Sequence, residues 1–98
     1  MKIKTVFSKT GDMKFISHLD LMRLFQRAMR RAALPVTISK GFSPHLKISI
    51  ARAMKLGTES ESEELTVNMS EPVAPAHLME SLNDNLPEGV RIKQIKES

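Results

Sequence analysis

The sequence predicts an α+β fold, a ferredoxin-like βαββαβ sandwich whose antiparallel sheet carries two helices on one face. Two observations predict it: four short runs have strand-like composition, and two longer runs have the periodicity of amphipathic helices. Their order is that of two β-α-β units joined by a loop, the split β-α-β arrangement. The chain has 98 residues and is expected to form a single domain over residues 1–98.

The strands are predicted from alternating apolar and polar residues, or from apolar runs bounded by turn residues. They cover residues 2–7, 46–51, 63–69 and 90–95. Two further segments, 13–16 and 36–39, are predicted to be briefly extended. In the last strand, alternation places Val90, Ile92 and Gln94 on one face and Arg91, Lys93 and Ile95 on the other.

The first helix has the clearest local signal. The S-x-x-D sequence of residues 17–20 is the carboxylate form of a capping box, and the run after it is rich in good helix formers. Pro35 is expected to end this helix, because the residue before a proline is pushed out of the α region. A second amphipathic helix is predicted over residues 76–85, with Leu78 and Leu82 facing inward.

Composition excludes several kinds of site. The chain has no cysteine, so it cannot by itself hold a disulfide, a cysteine nucleophile or an iron–sulfur cluster. No apolar run has the length of a membrane span and no signal segment is recognisable, which fits a cytoplasmic protein. Residues 1–55 hold twelve basic against two acidic residues, and residues 56–98 hold three against nine. This polarity predicts a basic face for a polyanion or acidic partner, or else neutralisation of one half by the other.

An arginine stripe is the first candidate for a binding surface. At helical spacing, four arginines fall within about 100° of one another, opposite the apolar half of the first helix: Arg23, Arg27, Arg30 and Arg31. Like charges at i, i+4 spacing slightly destabilise a helix, so stability does not call for them. Guanidinium groups bind phosphate and carboxylate bidentately. The stripe is interpreted as a surface for RNA phosphate or an acidic protein patch, or as a solvated face.

The segment GFSPH, which begins at Gly41, is the second candidate. Gly41 and Pro44 are explained by the backbone shape they permit. Phe42 and His45 are more than that shape requires, and Phe42 is either a core anchor or a base-stacking platform. Together with Lys47, these two side chains are assigned to the same candidate binding surface as the arginine stripe.

His18 and His45 are the third candidate, because the predicted topology puts both near the same end of the sheet. A histidine titrates near neutrality, so either could act as general acid or base in an RNA-cleaving or RNA-modifying enzyme. Two histidines without a pair of acidic ligands make a poor metal site, and no metal is predicted. No nucleotide-binding or hydrolase motif accompanies them.

The chain resembles the bacterial radical SAM-linked protein family (DUF2344) through a series of ordered motifs. These are a Lys-x-Gly-Asp turn from Lys9, Phe-x-Ser-His-Leu-Asp from Phe15, an arginine-rich helix, and Gly-Phe-Ser-Pro-His from Gly41. In the family the last motif often continues as Pro-His-Pro, and here Leu46 replaces the second proline. Family members are longer, so residues 1–98 are expected to be the N-terminal part of a longer family domain.

The resemblance implies an accessory domain. Members look fused to, or encoded beside, radical SAM proteins, which makes a radical SAM protein the implied partner. S-adenosylmethionine and the iron–sulfur cluster are expected only in that partner, since this chain has no cysteine.

Three functions are compatible with the sequence. The first is a non-enzymatic binding module that recognises RNA or docks the radical SAM partner through the arginine stripe. The second is an RNA-modifying or RNA-processing enzyme that uses His18 and His45. The third is a structural accessory domain whose arginine stripe packs on an acidic partner.

Overall fold

Two helices lie against an antiparallel sheet in the computed structural model, which describes residues 1–41, 44–51 and 57–97, the last without its side chain. The elements in order are β1 (Lys2–Lys9), a 3-10 helix (Gly11–Phe15), α1 (His18–Arg31), β2 (Ile48–Ile50), β3 (Ser60–Asn68), α2 (Pro75–Asp84) and β4 (Val90–Glu97). The sheet order is β2-β3-β1-β4, and each neighbouring pair is antiparallel. The predicted α+β class and its βαββαβ order are therefore confirmed for the described residues.

β1 lies in the middle of the sheet, and its alternation separates the two faces. Ile3, Thr5 and Phe7 face the helices and are buried. The ring of Phe7 meets the ring of Phe25 from α1 edge-on, with centroids 5.0 Å apart and an interplanar angle of 72°. Both helices contribute to this one hydrophobic core, which includes Leu82 of α2. We call the face of the sheet away from the helices the open face.

α1 begins as its sequence predicts and ends earlier. The Ser17 hydroxyl accepts a hydrogen bond from the Asp20 amide at 3.1 Å, which satisfies one free donor of the first turn. The helix stops at Arg31, because Ala33 has a left-handed φ of 53°. The amides of Ala33 and Leu34 bond back to the helix in a Schellman motif, so Pro35 follows the end and does not cause it.

Two local predictions are wrong. The stretch predicted to be extended, 13–16, lies largely in the 3-10 helix, whose first residue Gly11 has a φ of 61°. In β4 the register shifts, so that Val6 of β1 faces Gln94 while Phe7 faces Ile92. This bulge adds one residue to β4 and reverses its alternation. Ile95 therefore joins the core, on the face where Ile92 lies.

The outer edge of β4 is partly closed by α2. The side-chain amide of Asn83 accepts from the Ile92 amide at 2.8 Å and donates to the Ile92 carbonyl at 3.1 Å. Such a pair imitates a neighbouring strand and occupies groups that would otherwise be free at a sheet edge. Within the described ranges, neither helix combines the length and apolar character needed to cross a membrane.

Candidate functional site

A groove runs along the solvent side of α1 and is bounded by the segment that precedes β2. It has a volume of about 750 Å³ and is lined by residues of mixed character: Leu19, Asp20, Met22, Arg23, Gln26, Arg27, Arg30 and His45. Most of them recur at i, i+3 or i+4, so they share one side of the helix. We call this cavity the α1 groove.

Gln26 forms the joint between the two walls of the α1 groove. Its side-chain oxygen accepts from the Leu46 amide at 3.0 Å, and its side-chain nitrogen donates to the Leu46 carbonyl at 2.9 Å. Leu46 itself is buried in the core. The pair therefore fixes the segment before β2 at a set distance from α1, and His45 with it.

Replacing Gln26 with alanine is expected to lower the free energy of unfolding by about 1–3 kcal/mol, because both Leu46 backbone groups would lose a partner in a half-buried place. Hydrogen exchange at the Leu46 amide should become faster, and urea unfolding gives the change in stability. Gln94→Ala is the control, since Gln94 is exposed on β4, and its effect should stay within about 0.5 kcal/mol. Unchanged exchange at Leu46 in Gln26→Ala would contradict this description of the joint.

The arginine stripe is divided between two cavities. Arg23 and Arg30 line the α1 groove, and Arg31 lines a smaller cavity of about 370 Å³ that faces the end of α2 at Asp84. Arg27 lines both. The four arginines predicted to form one surface thus present charge in two directions, and their function in binding stays a prediction.

The acidic half of the chain does not neutralise the stripe in the described residues. Arg23 lies 3.5 Å from Asp20 one turn earlier, and both side chains are more than 60% exposed. The only other ion pair in the described ranges joins Lys93 to Glu61. Among the described residues, direct ion pairs with the acidic half therefore do not account for Arg27, Arg30 and Arg31, although Asp84 lines the smaller cavity with Arg27 and Arg31.

His45 stands at the rim of the α1 groove. The Ser39 hydroxyl lies 3.3 Å from its Nδ1 and accepts from its backbone amide at 3.2 Å. The Ser39 amide in turn donates to the His45 carbonyl at 2.7 Å. These contacts close a small loop around Gly41, whose φ of 148° favours glycine. This conformation fits the prediction that Gly41 is explained by the backbone shape it permits.

The structure does not bring His18 to the α1 groove. His18 is the first residue of α1, and it is exposed there. The described residues that line the groove include His45 and not His18. Residues 1–41, 44–51 and 57–97 contain no group of three potential metal ligands. His18 and His45 therefore do not line this groove together, and their function as an acid–base pair stays a prediction.

Of the remaining two predicted site residues, the structure describes Lys47. Lys47 comes between Leu46 and Ile48, which both contact the core, so strand alternation places Lys47 on the open face. It is exposed and does not line the α1 groove. Phe42 lies outside the described residues.

Sequence reasoning missed three residues of the α1 groove. Gln26 gives no local signal, because its partner is distant in the chain. Leu19 is apolar and 59% exposed, at a place just outside the apolar half of the helix. Met22 is apolar and half-buried at the groove. A leucine at the border of an arginine stripe is the signal that could have indicated a mixed surface.

The fold and this cavity define a small α+β sandwich domain with an arginine-lined groove on its first helix. The chain belongs to DUF2344, a family described as uncharacterized proteins conserved in bacteria, whose model matches residues 2–98. Among curated proteins, none matches the sequence. The family predicted from the motifs is confirmed, and the link to radical SAM proteins stays a prediction.

Proposed function

We propose that this chain is a non-catalytic binding module that docks an acidic segment of a partner protein in the α1 groove. One observation carries the proposal: an exposed leucine, Leu19, lies in a groove that Arg23 and Arg30 also line. A surface of this kind combines apolar contact area with two guanidinium groups, of which Arg23 also lies 3.5 Å from the exposed carboxylate of Asp20.

The chemistry of the groove defines the segment it would take. Guanidinium groups bind carboxylates bidentately and keep their charge at any physiological pH. Arginine and methionine are both enriched at protein interfaces, and a flexible side chain such as Met22 adapts to the shape of a partner. The fitting segment carries Asp or Glu residues on either side of an apolar residue that covers Leu19.

A protein segment fits this groove better than single-stranded RNA does. Recognition of unpaired bases depends on stacking, mainly on aromatic rings, and His45 supplies the only ring among the described residues of the groove. Phosphate contacts would also leave the apolar surface of Leu19 without a partner. An acidic apolar segment uses both features.

The partner is proposed to be a radical SAM protein. This part of the proposal rests on the family resemblance, in which members look fused to or encoded beside such proteins. S-adenosylmethionine and the cluster then belong to the partner, and this chain contributes docking.

Co-expression with the radical SAM protein of the same genome tests the proposal. The wild-type chain should co-purify with a tagged partner, and Leu19→Asp should not, because a carboxylate would then face the acidic segment. Ile38→Asp is the matched control: Ile38 is 60% exposed, against 59% for Leu19, and does not line the groove. It should co-purify as the wild type does.

Two results would contradict the proposal. The first is failure of the wild type to co-purify, and the second is equal recovery of Leu19→Asp and wild type. Because Leu19 is exposed, its substitution should leave the circular dichroism spectrum unchanged, which separates loss of docking from loss of fold.

A further inference from the structure

The open face of the sheet carries lysines in two adjacent rows. In one row Lys4 of β1 lies directly opposite Lys96 of β4 and, on its other side, opposite Thr66 of β3. Thr66 in turn faces Ser49 of β2. The row therefore reads Ser-Thr-Lys-Lys across four strands, with the two positive charges side by side.

The neighbouring row adds two more lysines. Lys2 of β1 lies opposite Asn68 of β3. On the other side of β3, the backbone amide of Asn68 donates to the carbonyl of Lys47 at 3.0 Å. The two rows are one alternation apart, about 7 Å along the strands. We call Lys2, Lys4, Lys47 and Lys96 the lysine cluster.

Among the side chains that the structure describes, the acidic residues of the open face lie outside these two rows. Glu64 is in the next row, opposite Val6. Glu61 is further along and holds Lys93 at 2.9 Å, across β1. In the described residues, Lys4 and Lys96 therefore form a positively charged pair at one end of the face, with Lys2 and Lys47 in the adjoining row.

Stability and edge protection do not explain the lysine cluster. Like charges directly opposite each other destabilise a sheet. Lysines on edge strands prevent unwanted strand pairing, which could account for Lys96, but Lys2 and Lys4 are on the central strand β1. The arrangement thus needs another reason, and a polyanion supplies one.

We infer that the lysine cluster binds the backbone of double-helical RNA. Phosphate neutralisation by lysine releases counterions and gives affinity without reading sequence. The rows contain no aromatic side chain for stacking on unpaired bases. They do contain the hydroxyl and amide groups of Ser49, Thr66 and Asn68, which suit 2′-hydroxyls in the wide, shallow minor groove of an RNA duplex.

This inference is independent of the α1 groove. The lysine cluster is on the side of the sheet away from α1, so one molecule could hold a protein segment and an RNA duplex at once. If the test of one surface gives a negative result, the proposal for the other surface is unaffected.

Fluorescence anisotropy with a labelled RNA duplex of about 16 base pairs, a length that spans two minor grooves, tests the inference. The purified chain should bind it, and affinity should fall with a log–log salt slope of about −3 to −4, as four phosphate contacts require. Lys4→Glu/Lys96→Glu should weaken binding at least tenfold and make the slope shallower by about 2. Lys4→Gln/Lys96→Gln, which adds no negative charge, should show a smaller loss in the same direction.

Lys40→Glu is the control for net charge, because Lys40 is exposed and lies outside the lysine cluster; compared with Lys4→Glu alone, it should change affinity much less. Absence of binding at low salt would overturn the inference, and so would equal losses in the two single variants. Equal or tighter binding to a DNA duplex or to single-stranded RNA would overturn it too, as would competition by polyglutamate as effective as that by the RNA duplex. Circular dichroism confirms that each variant is folded.

Discussion

Replacing Phe25 with alanine is expected to lower the free energy of unfolding by about 3–5 kcal/mol. Phe25 is fully buried and meets Phe7 of the central strand edge-on at 5.0 Å. Its removal leaves a cavity and also loses the ring–ring contact, worth about 0.5–1.5 kcal/mol. A domain of this size has a total stability of about 5–15 kcal/mol, so the variant should be close to unfolding.

The measurement is urea unfolding followed by far-ultraviolet circular dichroism, because the chain has no tryptophan or tyrosine to report by fluorescence. Phe15→Ala is the matched control, since Phe15 is 61% exposed. It should change stability by no more than about 0.5 kcal/mol. Similar losses in the two variants would show that α1 is not joined to the sheet as described.

Reversing the charges of Arg23 and Arg30 together is expected to weaken binding to the proposed partner by about a hundredfold. We expect each reversal to cost about 1.4 kcal/mol of binding free energy, which is a tenfold loss of affinity. The physical reason is that, in the proposed complex, each guanidinium meets a carboxylate of the partner in the α1 groove, and a glutamate there would repel it. Isothermal titration calorimetry with the purified radical SAM protein gives the dissociation constants.

A single reversal allows a matched comparison. Arg30→Glu should cost about tenfold, whereas Lys40→Glu, which makes the same change of charge outside the groove, should cost much less. High salt should reduce the difference, because exposed charge pairs are screened. Equal effects at both positions would mean that the partner responds to net charge and not to the α1 groove.

Local signals were sufficient for much of the fold. Ser17 and the apolar periodicity of α1 predict its start and its buried face, on which Phe25 and Met29 are fully buried. In α2 the same periodicity correctly places Leu78 and Leu82 inward. These features depend on residues within a few turns of one another, which is why the sequence can predict them.

Features that depend on distant parts of the chain were not predictable. The bulge beside Val6 exists only when β4 is paired with β1, so alternation within β4 assigned Ile95 to the wrong face. The side-chain amides of Gln26 and Asn83 form hydrogen bonds to backbone groups of later segments, and the residues next to them in the sequence give no signal of these bonds. The left-handed Ala33 also ended α1 before the proline that was expected to do so.

The candidate surfaces also combine local features, which the sequence predicts, with long-range features, which it does not. Periodicity predicts one stripe of four arginines on α1, but their division between two cavities follows from the position of α2 beside Arg31. Sequence proximity grouped Lys47 with His45, yet His45 lines the α1 groove and Lys47 does not. The lysine cluster joins residues from both ends of the chain, so it appears only once β1 and β4 are paired.

The most direct test of docking in the α1 groove is an amide NMR spectrum of the ¹⁵N-labelled chain with and without the unlabelled radical SAM protein. The largest shift changes and line broadening should fall on residues 19–30 and on His45 and Leu46. The signals of the backbone amides of β4 residues whose side chains lie on the open face should change little. Changes confined to the open face, or no changes at saturating partner, would contradict the account.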